Sequence, residues 1–300
     1  MRYLLVINPE AQLGVSKRKQ NALIKTAYSV LGKGKVFIVG KHRKETFKDA
    51  NFEAVIFCGG DGTLHYGLQY VPLENTKVGL IPLGSGVDFA SALGIPKRYK
   101  EAFEVIHRGE TKRVDLGRIN GRLFANTVSF GFDAFINRLQ DLKIRPRMKR
   151  LKRYLLFLDA KWCYIVALLY FFLPWVRFEP IKLEIESDTS SLTEEVFMLS
   201  ITNSFRYGGG FKINPQAKID DGWLDASLVL PLNKWSIFKK AYSVWKGTHI
   251  LDPTFRIFRF TKMIVKSATP INAQVDGEML IPACYFEIDI LKRMLEVFVP

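Results

Sequence analysis

A short apolar run that breaks straight into glycines leaves this chain few ways to fold. Residues 54–57 pattern as a buried strand, Cys58-Gly59-Gly60-Asp61-Gly62-Thr63 follows at once, and residues 64–70 look like the start of a helix. Glycine lets the backbone come close to an anion, and a helix N-terminus aims free N–H groups at it. Strand, glycine turn and helix together read as a phosphate-binding turn. Asp61 is the odd member. A carboxylate beside phosphate is repelled unless a metal, or a proton being moved, lies between them. The turn therefore points to a nucleoside triphosphate with magnesium, although Gly-Gly-Asp-Gly by itself also fits a plain strand-to-helix turn.

Two further stretches favour the first reading. Asn8-Pro9 follows an apolar strand at 3–7 and leads to Gly14, and Pro82-Leu83-Gly84-Ser85-Gly86-Val87-Asp88-Phe89-Ala90 follows another at 77–81. Each lies where the carboxyl end of a parallel strand opens into the crevice of a doubly wound sheet. Helical patterns at 16–31 and about 100–107, a strand at 35–39 and a helix in the polar stretch after it complete the alternation. From Arg113 the pattern changes. Residues 113–116, 122–129, 181–187, 196–202, 224–229, 262–266, 271–275 and 284–288 read as strands, few helices separate them, and an antiparallel β-sandwich is expected. The expected division is an α/β nucleotide-binding domain at 1–118, with 290–300 returning to it. A β-sandwich substrate domain follows at 119–289, with a basic and aromatic helical insertion at 143–176.

The ordered set of Asn8-Pro9, Gly59-Gly60-Asp61-Gly62-Thr63 and Gly84-Ser85-Gly86-Val87-Asp88-Phe89-Ala90 resembles the diacylglycerol kinase catalytic-domain family. Its superfamily includes bacterial lipid kinases, sphingosine kinases and ceramide kinases, with NAD kinases and phosphofructokinases as distant relatives. The resemblance implies an ATP- and Mg2+-dependent lipid kinase. It implies that Asn8, Pro9, Gly59, Gly60, Asp61, Gly62, Thr63, Gly84, Ser85 and Gly86 hold the nucleotide. Asp61, Asp88 and Asp115 then form an acidic network around the catalytic magnesium. Glu278, in Asp276-Gly277-Glu278, becomes the general base on the lipid hydroxyl, with Asp61 as the rival base. A structural magnesium falls to the carbonyls of Lys218 and Trp223 and the side chain of Asp221. Read without the resemblance, both Asp-Gly pairs also fit hairpin turns. The chain departs from the family at Val87, where many members have asparagine, and in a longer first loop that carries Glu10.

Charge adds a surface to this site. Forty-four basic residues against 29 acidic ones leave +15, which calls for a polyanionic partner such as nucleotide, anionic membrane or nucleic acid. Lys143, Arg145, Arg147, Lys149, Arg150, Lys152 and Arg153 form a cluster without an acid. An uncharged run at 162–176 follows, with Trp162, Tyr164, Tyr170, Phe171, Phe172 and Trp175. A spanning helix needs roughly 20 apolar residues, and Pro174 breaks this shorter run. It suits a membrane-surface anchor, and equally a helix packed on a sheet behind a solvated basic start. At 235–245, Trp235, Phe238, Ala241, Tyr242 and Trp245 share one helical face between an Asn233 cap and Gly247. Core packing is the reading favoured there, and holding an acyl chain the minority one. Nucleic acid is disfavoured, because the basic cluster adjoins an apolar helix rather than aromatics spaced for base stacking.

Cys58, Cys163 and Cys284 have no paired spacing, which fits a reducing cytosol, and the first apolar run is too short for a signal peptide. The four histidines form no site. The expectation is a cytoplasmic, membrane-docking kinase of diacylglycerol or a similar lipid, with a homodimer compatible. A sphingoid base or a soluble acceptor such as NAD, and a non-catalytic binding protein, are the alternatives.

Overall fold

The computed structural model describes residues 1–7, 17–39, 52–84, 86–144, 160–206 and 208–300. Asn8, Pro9, Ser85, the helix expected after residue 39, and the basic residues from Arg145 to Arg153 lie outside the described residues.

In chain order the elements begin with β1 (Tyr3–Ile7), α1 (Lys17–Ala27), β2 (Val36–Val39), β3 (Ala54–Gly59), α2 (Asp61–Leu68) and β4 (Lys77–Pro82). Next come α3 (Asp88–Ala92), α4 (Tyr99–Arg108), β5 (Thr111–Ile119), β6 (Arg122–Phe124), β7 (Thr127–Gly131), α5 (Phe132–Leu139) and α6 (Ala160–Phe171). After them run β8 (Ile181–Ser187), β9 (Ser191–Val196), β10 (Met198–Thr202), β11 (Leu224–Val229) and α7 (Lys234–Lys246). The chain ends with β12 (Phe255–Phe260), β13 (Lys262–Ile271), β14 (Ala273–Val275), β15 (Glu278–Met279) and β16 (Ala283–Phe298). It divides into two compact units: Met1–Leu116 with Leu291–Pro300, and Gly117–Ile290.

The first unit is a parallel sheet in the order β2-β1-β3-β4, extended by Val297 of β16 beside Val78. β1 and β3 are buried along their whole length, as strands covered on both faces must be. α4 shows why a helix packs here. Ala102, Phe103, Val105 and Ile106 make a buried stripe, while Lys100, Glu101 and Glu104 face solvent. α2 lies so close to β3 that a Cβ on Gly67 would sit 2.1 Å from the Phe57 ring. Glu296 of β16 accepts from Thr111 at 2.9 Å and pairs with Lys77 and Arg113, which ties the last strand into this unit.

The second unit is a β-sandwich. One sheet runs β12-β11-β10-β7-β14-β15, antiparallel at every pairing. The other runs β16-β13-β8-β9, with β5 beside β16 and β6 beside β5. Alternate residues of the first sheet split between two cores. Phe130, Leu199, Ile201 and Leu228 face a core completed by Leu183, Val265 and Phe286 of the second sheet. Met198 and Val229 join the other core, built on Phe132, Phe171, Phe197 and Ile237 from α5, α6, α7 and their neighbours. An α/β unit with a parallel sheet, followed by an antiparallel sandwich, is the fold class expected from the sequence.

Five elements were not anticipated: β9, β12, β15, α3 and α5. The described part of the aromatic insertion is helical only over Ala160–Phe171, and Ala167 and Phe171 of it are buried in the second core. No helix among the described residues is long and apolar enough to cross a membrane. The Lys234 ammonium donates to the carbonyls of Phe171, Leu173 and Val176 at 2.7–2.9 Å and lies 4.8 Å from the Phe171 ring. It closes the C-terminus of α6, where backbone acceptors lack partners and a cation is favoured. Lys234→Met is expected to destabilise the chain by about 2 kcal/mol, read from the urea midpoint at unchanged slope. An unshifted midpoint would mean that water replaces the ammonium without loss.

Candidate functional site

β3 ends at Gly59 and α2 begins at Asp61, so the glycine turn is itself the start of the helix. Its backbone is stitched to the second glycine loop. The Asp61 N–H donates to Gly86 O at 2.8 Å, and the Leu83 N–H donates to Gly59 O at 2.9 Å. A Cβ on Gly60 would lie 2.4 Å from Gly86 O and one on Gly84 3.7 Å from Gly60 Cα, so two glycine stretches 24 residues apart meet face to face. Position 60 must be glycine for this contact to form.

The Asp61 carboxylate reaches into the second loop. Oδ2 accepts the Asp88 N–H at 2.9 Å and Oδ1 accepts the Phe89 N–H at 3.2 Å. These are the first amides of α3, whose N-cap residue Val87 has no side-chain oxygen to offer. Asp61 therefore does the capping that Val87 cannot. Asp88 is buried beside it, and Thr63 is buried one turn along α2. Gly59, Gly60, Asp61, Gly62, Thr63, Gly84, Gly86 and Asp88 are thus brought to one place in the first unit. Cys58, at the strand end, is buried, and burial pushes its thiol pKa up, which suits packing and not nucleophilic chemistry. Asp115 is fully buried on β5 of the same unit, and its Oδ1 accepts the Arg293 N–H at 2.7 Å. That bond fastens β5 to the returning strand.

Next to the second loop, where β4 ends at Pro82, an open cavity of about 380 Å³ is lined by Lys19, Lys97, Arg98 and Lys100, with Glu101 paired to Arg98. The cations at the start of α4 were not singled out from the sequence. They are scattered among ordinary surface lysines, and only the fold collects them.

In the second unit the acidic candidates separate by environment. Asp276 sits at φ 48 in the β14–β15 turn, and its carboxylate accepts the N–H groups of Ala125, Asn126 and Thr127, each at 2.9 Å. That side chain is committed to structure. Two residues on, Glu278 opens β15 with its side chain exposed. The turn is held from beneath by a buried network. Gly277 N–H donates to Gln274 Oε1 at 2.7 Å, and Gln274 Nε2 donates to Ser129 Oγ at 2.7 Å and to Asp133 Oδ2 at 2.9 Å. Ser129 closes it with a 2.5 Å bond to the same Asp133 oxygen. Sequence reasoning missed Gln274, Ser129 and Asp133, which carry no local motif.

Asp221 accepts the Trp223 N–H at 3.2 Å through Oδ1 and Arg259 at 3.0 Å through Oδ2. Arg259 also meets Asp225 Oδ1 at 3.2 Å. Burial pushes the Asp225 carboxyl pKa up, and Arg259 opposes it. The guanidinium thus already supplies the positive charge that a magnesium at Asp221, Lys218 and Trp223 would bring. Among the described residues no group of three or more His, Cys, Asp or Glu is arranged to hold a metal ion.

Comparison with known proteins gives a consistent set of likenesses. The diacylglycerol kinase catalytic domain matches residues 2–119, and the YegS C-terminal NAD kinase beta sandwich-like domain matches residues 126–299. A diacylglycerol kinase of Staphylococcus saprophyticus is 27% identical over 256 residues, covering 84% of this chain and 78% of the relative. A diacylglycerol kinase of Bacillus subtilis is 27% identical over 230 residues, covering 76% and 71%. The crystal structure of a diacylglycerol kinase from Bacillus anthracis superposes with a TM-score of 0.72 at 18% identity, over 100% of this chain and 97% of the other. That last likeness speaks for the fold.

Proposed function

The chain belongs to the diacylglycerol kinase catalytic-domain family, and from that membership we propose that it moves the γ-phosphoryl group of ATP to a hydroxyl of diacylglycerol or a similar lipid, at the cytoplasmic surface of a membrane and with Mg2+. The family makes it a lipid kinase, a phosphotransferase with an alcohol acceptor. The observation that carries the finer reading is the interlock of the two glycine loops, with Asp61 N–H on Gly86 O and the Asp61 carboxylate on the amides of Asp88 and Phe89. Close-packed glycine backbone at a helix start is suited to phosphate oxygens. The cations Lys19, Lys97, Arg98 and Lys100 beside it favour a polyanion.

Phosphoryl transfer asks the protein for positioning and charge neutralisation more than for covalent chemistry. Magnesium, when bound, neutralises charge on the phosphates. Asp61, Asp88 and Asp115 are the carboxylates assigned to it. Asp61 fits, since its carboxylate reaches into the second glycine loop and lies beside buried Asp88. A second, structural magnesium at Asp221 fits poorly, because it has to displace Arg259. Glu278 takes the acceptor proton as the new P–O bond forms. Its exposure supports this role, whereas the Asp276 carboxylate is taken up by three backbone N–H groups.

The test is transfer of γ-labelled phosphate from Mg-ATP to three acceptors in parallel: diacylglycerol in mixed micelles, a sphingoid base in the same micelles, and NAD in solution. Label in diacylglycerol is the expected result. Label in NAD with none in either lipid overturns the proposal.

A further inference from the structure

α7 turns its aromatic face outward. Trp235, Tyr242 and Trp245 are 79%, 60% and 54% exposed, while the helix packs inward through Ile237 and Val244. This reverses the expectation that the aromatic face is a core face. At 100° per residue Trp235, Lys239, Tyr242 and Lys246 form one stripe, at i, i+4, i+7 and i+11, with Trp245 at its edge. The segment 231–251 holds four lysines and no acidic residue. Two of the four are used internally: Lys234 closes α6, and Lys240 pairs with Asp252. The other two, Lys239 and Lys246, stand among the exposed aromatics, and Lys246 Nζ lies 4.8 Å from the Tyr242 ring.

The patch continues past the helix. Because Lys234 bonds the carbonyls of Leu173 and Val176, Trp175 is brought next to the start of α7, and Trp175 is 70% exposed. Leu251, just beyond the far end of α7, is 90% exposed. Three tryptophans and a tyrosine held out in water are costly unless something covers them.

We propose that the outer face of α7, with Trp175 beside it, is the surface by which this protein docks on an anionic lipid bilayer. The chemistry of this face favours lipid over a second protein on two counts. Tryptophan and tyrosine alternating with lysine along one stripe match the layered chemistry of a membrane interface, where rings sit at headgroup depth and ammonium groups meet lipid phosphates. Along α7 the face carries lysines and no acidic residue, so a second copy of this chain would set like charge against like. The inference deepens the lipid-kinase reading and rests on it for its purpose, since a lipid acceptor has to be drawn from a bilayer. Docking itself is measured separately from turnover.

The experiment uses the full chain and co-sedimentation with phosphatidylcholine vesicles, with and without phosphatidylglycerol. Lys239→Glu with Lys246→Glu is expected to weaken binding to the anionic vesicles by at least about twentyfold, each lysine near an anionic surface contributing roughly fivefold. Trp235→Ser with Trp245→Ser is expected to abolish vesicle binding at any salt concentration. Both pairs are solvent-facing, so turnover of diacylglycerol presented in detergent micelles should stay within about twofold of the parent. Unchanged vesicle binding in either pair overturns the proposal. So does a change in sedimentation mass from dimer to monomer with vesicle binding intact, which would make the face a contact between copies. If no variant and no parent protein phosphorylates any lipid, yet both pairs lose vesicle binding, the kinase reading fails and the docking face stands.

Discussion

Glu278→Gln should lower kcat by about 10²- to 10⁴-fold, the usual contribution of a positioned general base, while KM for ATP changes little. The substitution keeps size and shape and removes only the ability to take a proton. The backbone around it has no reason to move. Asp276 accepts three backbone N–H groups, and Gly277 donates to Gln274, whose amide is held by Ser129 and Asp133 beneath. The turn is thus fixed by buried bonds that position 278 does not share. The result to compare is the pH profile of kcat/KM. In the parent its acidic limb reports the ionisation of the essential base, and in the glutamine variant that limb should vanish. A kcat within about tenfold of the parent, with the acidic limb intact, removes Glu278 from the base role and leaves Asp61 as the remaining candidate.

The same turn shows what the sequence could and could not convey. Asp276-Gly277-Glu278 is legible as a turn with two acids, because aspartate and glycine tolerate the left-handed backbone it needs. Nothing local says which acid is spent on structure. That depends on the amides of residues 125–127, about 150 residues away in the chain. The glycine turn after β3 was legible for the opposite reason, since an apolar run, glycines and a helix start are all local signals. Even so, α2 begins at Asp61 and not at Leu64, because helical hydrogen bonding overrides glycine's poor propensity once the turn is anchored on Gly86. β9 was missed because Ser191-Leu192-Thr193-Glu194-Glu195-Val196 is a charged edge strand, with Glu194 paired to Arg256. β12 hid in Phe-Arg-Ile-Phe-Arg-Phe, where only Phe255 and Phe260 are buried. α7 is the clearest case. Spacing reveals that a helix has an aromatic face, but which side the rest of the protein covers is a tertiary fact. Ile237 and Val244 won the core, and the larger Trp235 and Trp245 stayed outside.

Asp61 is expected to show two separable defects. Asp61→Ala removes the acceptor for the Asp88 and Phe89 amides and the charge assigned to the magnesium network. Loss of the cap should cost about 1 kcal/mol of stability, and loss of the preorganised charge about 10³-fold in kcat. Asp61→Asn divides them. Its side-chain oxygen can still accept one amide, so the urea midpoint should recover part of the way. The amide carries no charge and turns an NH2 toward the other N–H, so turnover should remain near that of the alanine variant. The division matters because Val87 cannot cap α3 by itself, which gives Asp61 a structural duty whether or not any phosphate is bound. Recovery of turnover in Asp61→Asn to within about tenfold of the parent would mean that the capping bonds alone matter. Asp61 would then be a brace between the two glycine loops, and the assignment of its charge to catalysis would fall. Recovery of stability without turnover fits a carboxylate that holds the loops together and also answers to the metal.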